Sequence, residues 1–227
     1  MVYLNGDSAY LTSCLTPAFN SEQEVVGYYL FVFDNTERRR LEQSLQAANT
    51  KLEKLATVDS LTQIANRRKF DDYLDQEWRR ALRSQQPLSL IMFDVDAFKR
   101  YNDYYGHQIG DDCLISIAQT VKSTVERTTD VVARYGGEEF VLVLPNTNLS
   151  GATAIAEQIQ KAIKTLAIPH KTSTVSPIVS ISLGVASLIP TATESPKQLI
   201  ASADRSLYAA KQQGRDRYVV DSTQGQG

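Results

Sequence analysis

The chain of 227 residues is 42% hydrophobic, enough to bury one sizeable core and something smaller beside it. A formal net charge of −2 and a pI near 5.8 exclude the overall basic field of a nucleic-acid-binding chain. No apolar run reaches the length of a membrane span, "MVYLNGDSAY" lacks the shape of a secretion signal, and Cys14 and Cys113 have no metal-ligand spacing. The sequence therefore reads as a soluble, cytoplasmic chain with free thiols, while an anchor in a longer parent protein stays open.

In chain order, residues 1–34 begin polar and then give "EVVGYYLFVFD", a β-branched and aromatic run that predicts a strand. Alone this stretch is too short to close a core. Residues 35–58 follow with Leu41, Leu45, Ala48, Leu52 and Leu55 at alternating spacings of four and three, a seam that predicts a helix pairing with another helix. The plainer alternative is an amphipathic helix lying on its own domain.

Residues 59–220 alternate helical and strand patterns. Arg67–Arg83 reads as a helix, and "LSLIMFDVD" as a buried strand ending in acids. Leu114, Ile117, Ala118, Val121 and Val125 mark one face of a helix beginning near Asp111. Strands near Val131–Tyr135 and Glu139–Leu144 flank Gly136-Gly137, a hairpin turn signal. A helix over Gly151–Leu166, a strand in "IVSISLGVAS", a helix carrying Leu199, Ala203, Leu207 and Ala210, and a short strand in "RYVV" complete the region. The pattern predicts an α/β (α+β) domain with a mixed sheet and flanking helices, followed by a flexible tail over residues 221–227.

The chemistry gathers at strand ends. Gly136-Gly137 removes side chains, so a ligand phosphate can approach the backbone of "RYGGEEFVLVLP", which then enters its strand through Glu138 and Glu139. Asp94 and Asp96 end another apolar strand, where ligands of α/β sheets tend to bind. If the two strands are neighbours, Asp94 and Glu138 converge, and their repulsion predicts a cation between them. Hard oxygen ligands without His or Cys favour Mg²⁺, with Mn²⁺ as the alternative. Either acid pair alone reads more plainly as a solvated sheet edge; the two together favour a site. Lys99 in "DVDAFK" and Lys211 and Arg215 in "AAKQQGR" supply cations beside it, although a helix C-terminus also welcomes the latter two.

At this point a resemblance becomes specific. "GGEEF", "FDVDAFKRYND", "YGHQIGD" and "LTQIANRR", with the terminal Lys-Arg pair, resemble the GGDEF family of diguanylate cyclases over roughly Asp59 to Tyr218. The resemblance implies a palm-like fold related to nucleotidyl cyclases and an enzyme that condenses two GTP into cyclic di-GMP, releasing pyrophosphate. It implies that Asp94 and Glu138 hold the metal, with Glu139 assisting and the Val95 carbonyl as a backbone ligand. Glu138 is also implied as base toward the ribose 3′-hydroxyl, and Lys99 as stabiliser of developing phosphate charge. Lys211, Arg215 and the Gly137 backbone are implied to hold the phosphates, and Asn102 and Asp111 to read guanine, with His107 in the same loop. A carboxylate at Asp111 suits guanine, which offers an N1–H and an amino group together. Its plainer reading is an acid in a helix's first turn.

The resemblance further implies that two catalytic domains must meet face to face, each holding one GTP, which the helix of residues 35–58 would promote as a homodimeric coiled coil. The stretch ending "VFDNTERRRLEQSL" resembles the final strands of a PAS sensor domain and its exit into a signalling helix. "RTTD", Arg127 to Asp130, sits where the family carries a product-inhibition site for cyclic di-GMP, although an Arg and an Asp at a helix end need no ligand. "LTQIANRR" lacks the family's usual Gly and Pro, and "YGH" has Tyr for Phe; neither departure touches an implied contact. A non-catalytic cyclic di-GMP receptor, a cyclase with another nucleotide product and a pure dimerisation module are the competing readings. The intact Glu138 and Glu139 argue against the first, Asp111 against the second, and the acids with their cations against the third.

Overall fold

A computed structural model describes residues 9–125 and 127–221, with the backbone alone at Ala47 and at residues 49–56. The chain forms two compact units that divide between Lys54 and Leu55.

In the first unit, β1 (Leu11–Phe19) and β2 (Val25–Asp34) make an antiparallel hairpin, and α1 (Thr36–Thr57) follows. The predicted strand is β2. Its partner β1 escaped the sequence reading because "LTSCLTPAF" mixes hydroxyls and Pro17, a composition that an edge strand tolerates. Asn20 shapes the connection, its Oδ1 accepting from the amides of Glu22 and Glu24. Asp34 accepts from the Thr36 amide as the helix begins. Both hairpin faces are apolar: Tyr28, Leu30 and Val32 lie on one and Tyr29, Phe31 and Phe33 on the other, all exposed. A lone two-stranded sheet has no second layer in which to bury them. Along α1, Leu41 and Leu45 are 64% and 63% exposed. Ala48 is exposed as well, and the side chains of Leu52 and Leu55, the last two positions of the predicted seam, lie outside the described residues.

The second unit is built on a six-stranded mixed sheet. Its strands are β3 (Ala65–Asn66), β4 (Leu88–Val95), β5 (Val131–Gly136), β6 (Glu139–Pro145), β7 (Ile181–Leu188) and β8 (Tyr218–Val220). Their order is β3-β5-β6-β4-β7-β8, with β4 antiparallel to both β6 and β7, and the two outer pairs parallel. Five helices flank it: α2 (Arg67–Ser84), α3 (Phe98–Tyr105), α4 (His107–Thr124), α5 (Leu149–Thr165) and α6 (Pro196–Gln212). Because side chains alternate along a strand, Ile91, Phe93 and Val95 pack with α4 and α5, while Leu90 and Met92 pack with α2 and α6. At Gly184 of β7 the α6 backbone comes so close that a Cβ would lie 2.1 Å from the Ala203 carbonyl oxygen.

Two boundaries differ from the sequence reading for physical reasons. The helix expected from near Asp111 starts at His107, because Gly106, at φ 87°, ends one helix and opens the next. The short α3, hidden between the "FDVD" acids and that glycine, went unpredicted. Asn148 caps α5 by accepting from the Gly151 amide, which moves its start to Leu149.

Candidate active site

The register of the central strands brings the acids together. Asp94 of β4 is the direct partner of Glu139 on β6 and of Ser182 on β7, and the Val95 amide donates to the Glu138 carbonyl at 3.3 Å. Asp94 and Glu139 therefore share the sheet face covered by α2 and α6. From α6, Lys211 reaches over and places Nζ 2.8 Å from Asp94 Oδ2. Burial pushes the Asp94 carboxyl up to about 6; Lys211 opposes the rise, and the charges of Glu138 and Glu139 add to it. Beside these groups lies a cleft of about 430 Å³ lined by Glu139, Asp204, Arg205, Leu207, Tyr208 and Lys211. A larger one, about 510 Å³, sits at the hairpin–helix corner of the first unit among Tyr10, Asn35, Arg38 and Glu42 and holds none of the expected site residues.

The turn between β5 and β6 is exposed at Gly136 and Gly137, and Gly137 takes φ +56°, a conformation that favours glycine. Its carbonyl accepts from Arg134 Nε at 2.8 Å. The same guanidinium reaches Asp59 at 3.2 Å, at the start of the unit, where Asp59 also accepts from the amide and hydroxyl of Thr62. Burial works to raise the Asp59 carboxyl, but the Thr62 hydrogen bonds and the Arg134 charge outweigh it and hold it below its ordinary value. Arg134 thus clasps the glycine turn to the segment entering the domain. The sequence reading missed this pair, since an arginine in a strand and an acid 75 residues earlier carry no joint signal.

Asp96 is not among the acids facing the cleft. It is 1% exposed and accepts from Ser180 Oγ, Ser182 Oγ and the Asp216 amide. That last bond fastens the turn after α6, where Arg215 and Asp216 both adopt positive φ and Arg215 is exposed. Lys99 stands exposed in the first turn of α3. Asn102 is half-buried, and its Oδ1 has no hydrogen-bond partner. It fills the space a side chain at position 110 would need, since a Gly110 Cβ would lie 1.8 Å from Oδ1. His107 opens α4 and is exposed; Asp111 lies in its second turn, half-buried, so the first-turn reading does not apply.

Arg127 and Asp130 do come together, with the Asp130 amide donating to the Arg127 carbonyl. Arg127 donates onward to Thr147 Oγ1 at 3.3 Å. Burial raises the Asp130 carboxyl, against the Arg127 charge and the Thr129 hydroxyl. The pair sits before Val131, at the far end of β5 from the glycine turn, about 17 Å away at roughly 3.4 Å per residue. One ligand cannot occupy both places at once through the same contacts.

Among the described residues, no three His, Cys, Asp or Glu side chains are gathered as a ready metal cage. The donor set at the strand ends nevertheless fits a hard divalent cation shared with a ligand: carboxylate oxygens only, mutual repulsion at Asp94, and an ammonium standing where positive charge is needed.

Comparison with known proteins identifies the family and the fold. Residues 56–217 match the family model described as diguanylate cyclase, GGDEF domain. Diguanylate cyclase DgcM of Escherichia coli K12 is 38% identical over 189 residues, covering 83% of this chain and 42% of its own length. Response regulator PleD of Caulobacter vibrioides is 39% identical over 169 residues, covering 73% and 36%. The chain thus spans less than half of these relatives. Among solved structures, the coiled coil and GGDEF domain of DgcB from Caulobacter crescentus in complex with c-di-GMP aligns with TM-score 0.71 at 28% identity, covering 82% of this chain and 99% of that one. The active GGEEF domain of a diguanylate cyclase from Vibrio cholerae aligns with TM-score 0.62 at 34% identity, covering 71% and 99%.

Proposed function

The chain belongs to the GGDEF family of diguanylate cyclases, and from that premise we propose that its second unit condenses two GTP into cyclic di-GMP, releasing pyrophosphate. The observation that carries this reading is the register that sets Asp94 against Glu139 with Lys211 above them, beside a glycine turn open to phosphate.

Asp94, Glu138, Glu139 and the Val95 carbonyl are the groups that would hold Mg²⁺ or Mn²⁺, which would supply Lewis-acid stabilisation of the phosphates and lower the pKa of the attacking hydroxyl. Gly137 offers backbone to the phosphate chain, and Lys211 and Arg215 bind its terminal phosphate. Asn102 and Asp111 orient the guanine, with His107 at the rim. Lys99 faces the charge that develops as the leaving pyrophosphate departs. Glu138, at the strand entrance, is the group that would accept the proton of the ribose 3′-hydroxyl. Each 3′-hydroxyl attacks the α-phosphate held by a second catalytic unit, so one unit alone is half an active site. The exposed Leu41 and Leu45 support α1 as the helix that pairs two copies, and the apolar hairpin before it supports a PAS-like sensor exit. Arg127 and Asp130 form the proposed inhibitory site for product, well separated from the chemistry.

The test is Mg²⁺-dependent turnover of GTP, with products resolved by chromatography and ATP run in parallel. Cyclic di-GMP from GTP alone supports the enzyme and its guanine reading. No product in both the native chain and a version dimerised by a strong zipper in place of α1, together with retained cyclic di-GMP binding, replaces the enzyme with a receptor.

A further inference from the structure

The Lys211–Asp94 contact has a consequence for the order in which ligands enter. Asp94 is fixed: it ends a central strand with neighbours on both sides and is largely buried. Lys211 is not. Its side chain, an ammonium on a four-carbon stem, is 29% exposed and lines the cleft. The helix beneath it is held rigidly, because α6 presses onto β7 at Gly184 with no room for a Cβ. The base of the lysine stem therefore stays put while its charged end is free to swing.

In the ligand-free protein that end neutralises the carboxylate that the proposed metal must use. Asp94 feels Glu138 and Glu139 together, and Lys211 Nζ at 2.8 Å is the cation that answers them. A divalent ion approaching alone must displace the ammonium from Asp94 into solvent and gains no phosphate partner for it. An ion arriving with a nucleoside triphosphate brings a terminal phosphate, a stronger destination for the same ammonium than a carboxylate about to be claimed by a metal.

We infer that Lys211 is a counter-ion placeholder for the metal, and that it moves from Asp94 to the terminal phosphate when metal and triphosphate bind. This rests on the proposed metal and nucleotide reading of the site. It makes Lys211 a specificity-determining residue: a diphosphate lacks the γ-phosphate that would draw the ammonium away, so the ammonium keeps its hold on Asp94 and metal binding is weakened. Metal and triphosphate binding are then coupled through one side chain, each raising the other's affinity.

The test uses Mn²⁺ alone, without nucleotide, followed by the free-ion electron paramagnetic resonance signal at about pH 8.5, where carboxylates are ionised. The full chain is compared with Lys211→Met, which keeps most of the stem and loses the charge, with Asp94→Asn, and with the double variant. Removing one unit charge in contact with a metal ligand should tighten Mn²⁺ binding in Lys211→Met by about tenfold or more, and the double variant should lose that gain. If Lys211→Met binds Mn²⁺ no more tightly than the native chain while Asp94→Asn weakens binding, the placeholder is refuted and the metal site stands. If neither substitution changes the affinity, the assignment of the metal to Asp94 falls, and the placeholder falls with it.

Discussion

Asp94→Asn should make the ligand-free protein more stable at neutral and alkaline pH while abolishing turnover. Burial raises the Asp94 carboxyl from 3.8 to about 6 even with Lys211 beside it. The folded chain thus holds the Asp94 proton more tightly than the unfolded chain does. Its contribution to stability is fully present below about pH 4 and is lost as pH rises through about 6. At about 1.4 kcal/mol for each pH unit, the loss comes to about 3 kcal/mol by pH 8. Asparagine carries no charge at any of these values, and the Lys211 it leaves behind is exposed enough to be solvated cheaply. The variant should match the native chain near pH 4 and exceed it by up to about 3 kcal/mol near pH 8. At roughly 2–4 °C per kcal/mol, that is a Tm about 6–12 °C higher. Guanidinium titrations of both proteins in a chelator, repeated across the pH range, measure the difference directly and cancel the other carboxylates. An Asn variant equal to or less stable than the native chain at pH 8 would refute the claim that Asp94 is held ionised at a cost.

Three other substitutions test the surroundings of the site. Gly110→Ala drives a methyl into Asn102 and should raise the KM for GTP by about tenfold or more, with a Tm loss of only a few degrees; an unchanged KM would remove Asn102 from the guanine site. Arg134→Met leaves Asp59, 19% exposed, without its cation and should cost about 2–4 kcal/mol by chemical denaturation, along with most of the turnover. Additivity with Asp59→Asn in a double-mutant cycle would show that the two do not act as a pair. Arg127→Ala should leave the initial rate of cyclic di-GMP formation within about twofold and abolish the late slowing of progress curves; persistent slowing would place product inhibition elsewhere.

What was legible in the sequence was what repeats along the chain or stands next to itself. The apolar runs of β4 and β6, the Gly136-Gly137 turn and the i, i+3, i+4 faces of α2, α4, α5 and α6 are local patterns, and the structure follows them. The acids were legible because Asp94 closes one such run and Glu139 opens another, so that one antiparallel pairing suffices to bring them together. The edge strand β1 and the two-residue β3 were not, because an edge needs neither continuous apolarity nor length. Nor was the start of α4, where a glycine at positive φ lets two helices abut with almost no loop between them.

The supporting contacts were illegible for a different reason: each joins residues whose types are ordinary where they stand. Ser180 and Ser182 read as strand residues, and only the β4–β7 pairing turns them into donors for Asp96, more than 80 residues away. Gly184 carries no signal of its own within "IVSISLGVAS", and only the structure shows that α6 needs the space its missing Cβ leaves. These contacts decide how well the legible residues work. Asp96 is expected near the site but not as a ligand, and Gly184 carries no expectation; between them they fix the turn that bears Arg215 and the helix that bears Lys211. A side chain that must travel between a carboxylate and a phosphate is useful only if its base stays still. The demand for a precise anchor therefore falls on positions that hold no charge of their own or hide the one they have.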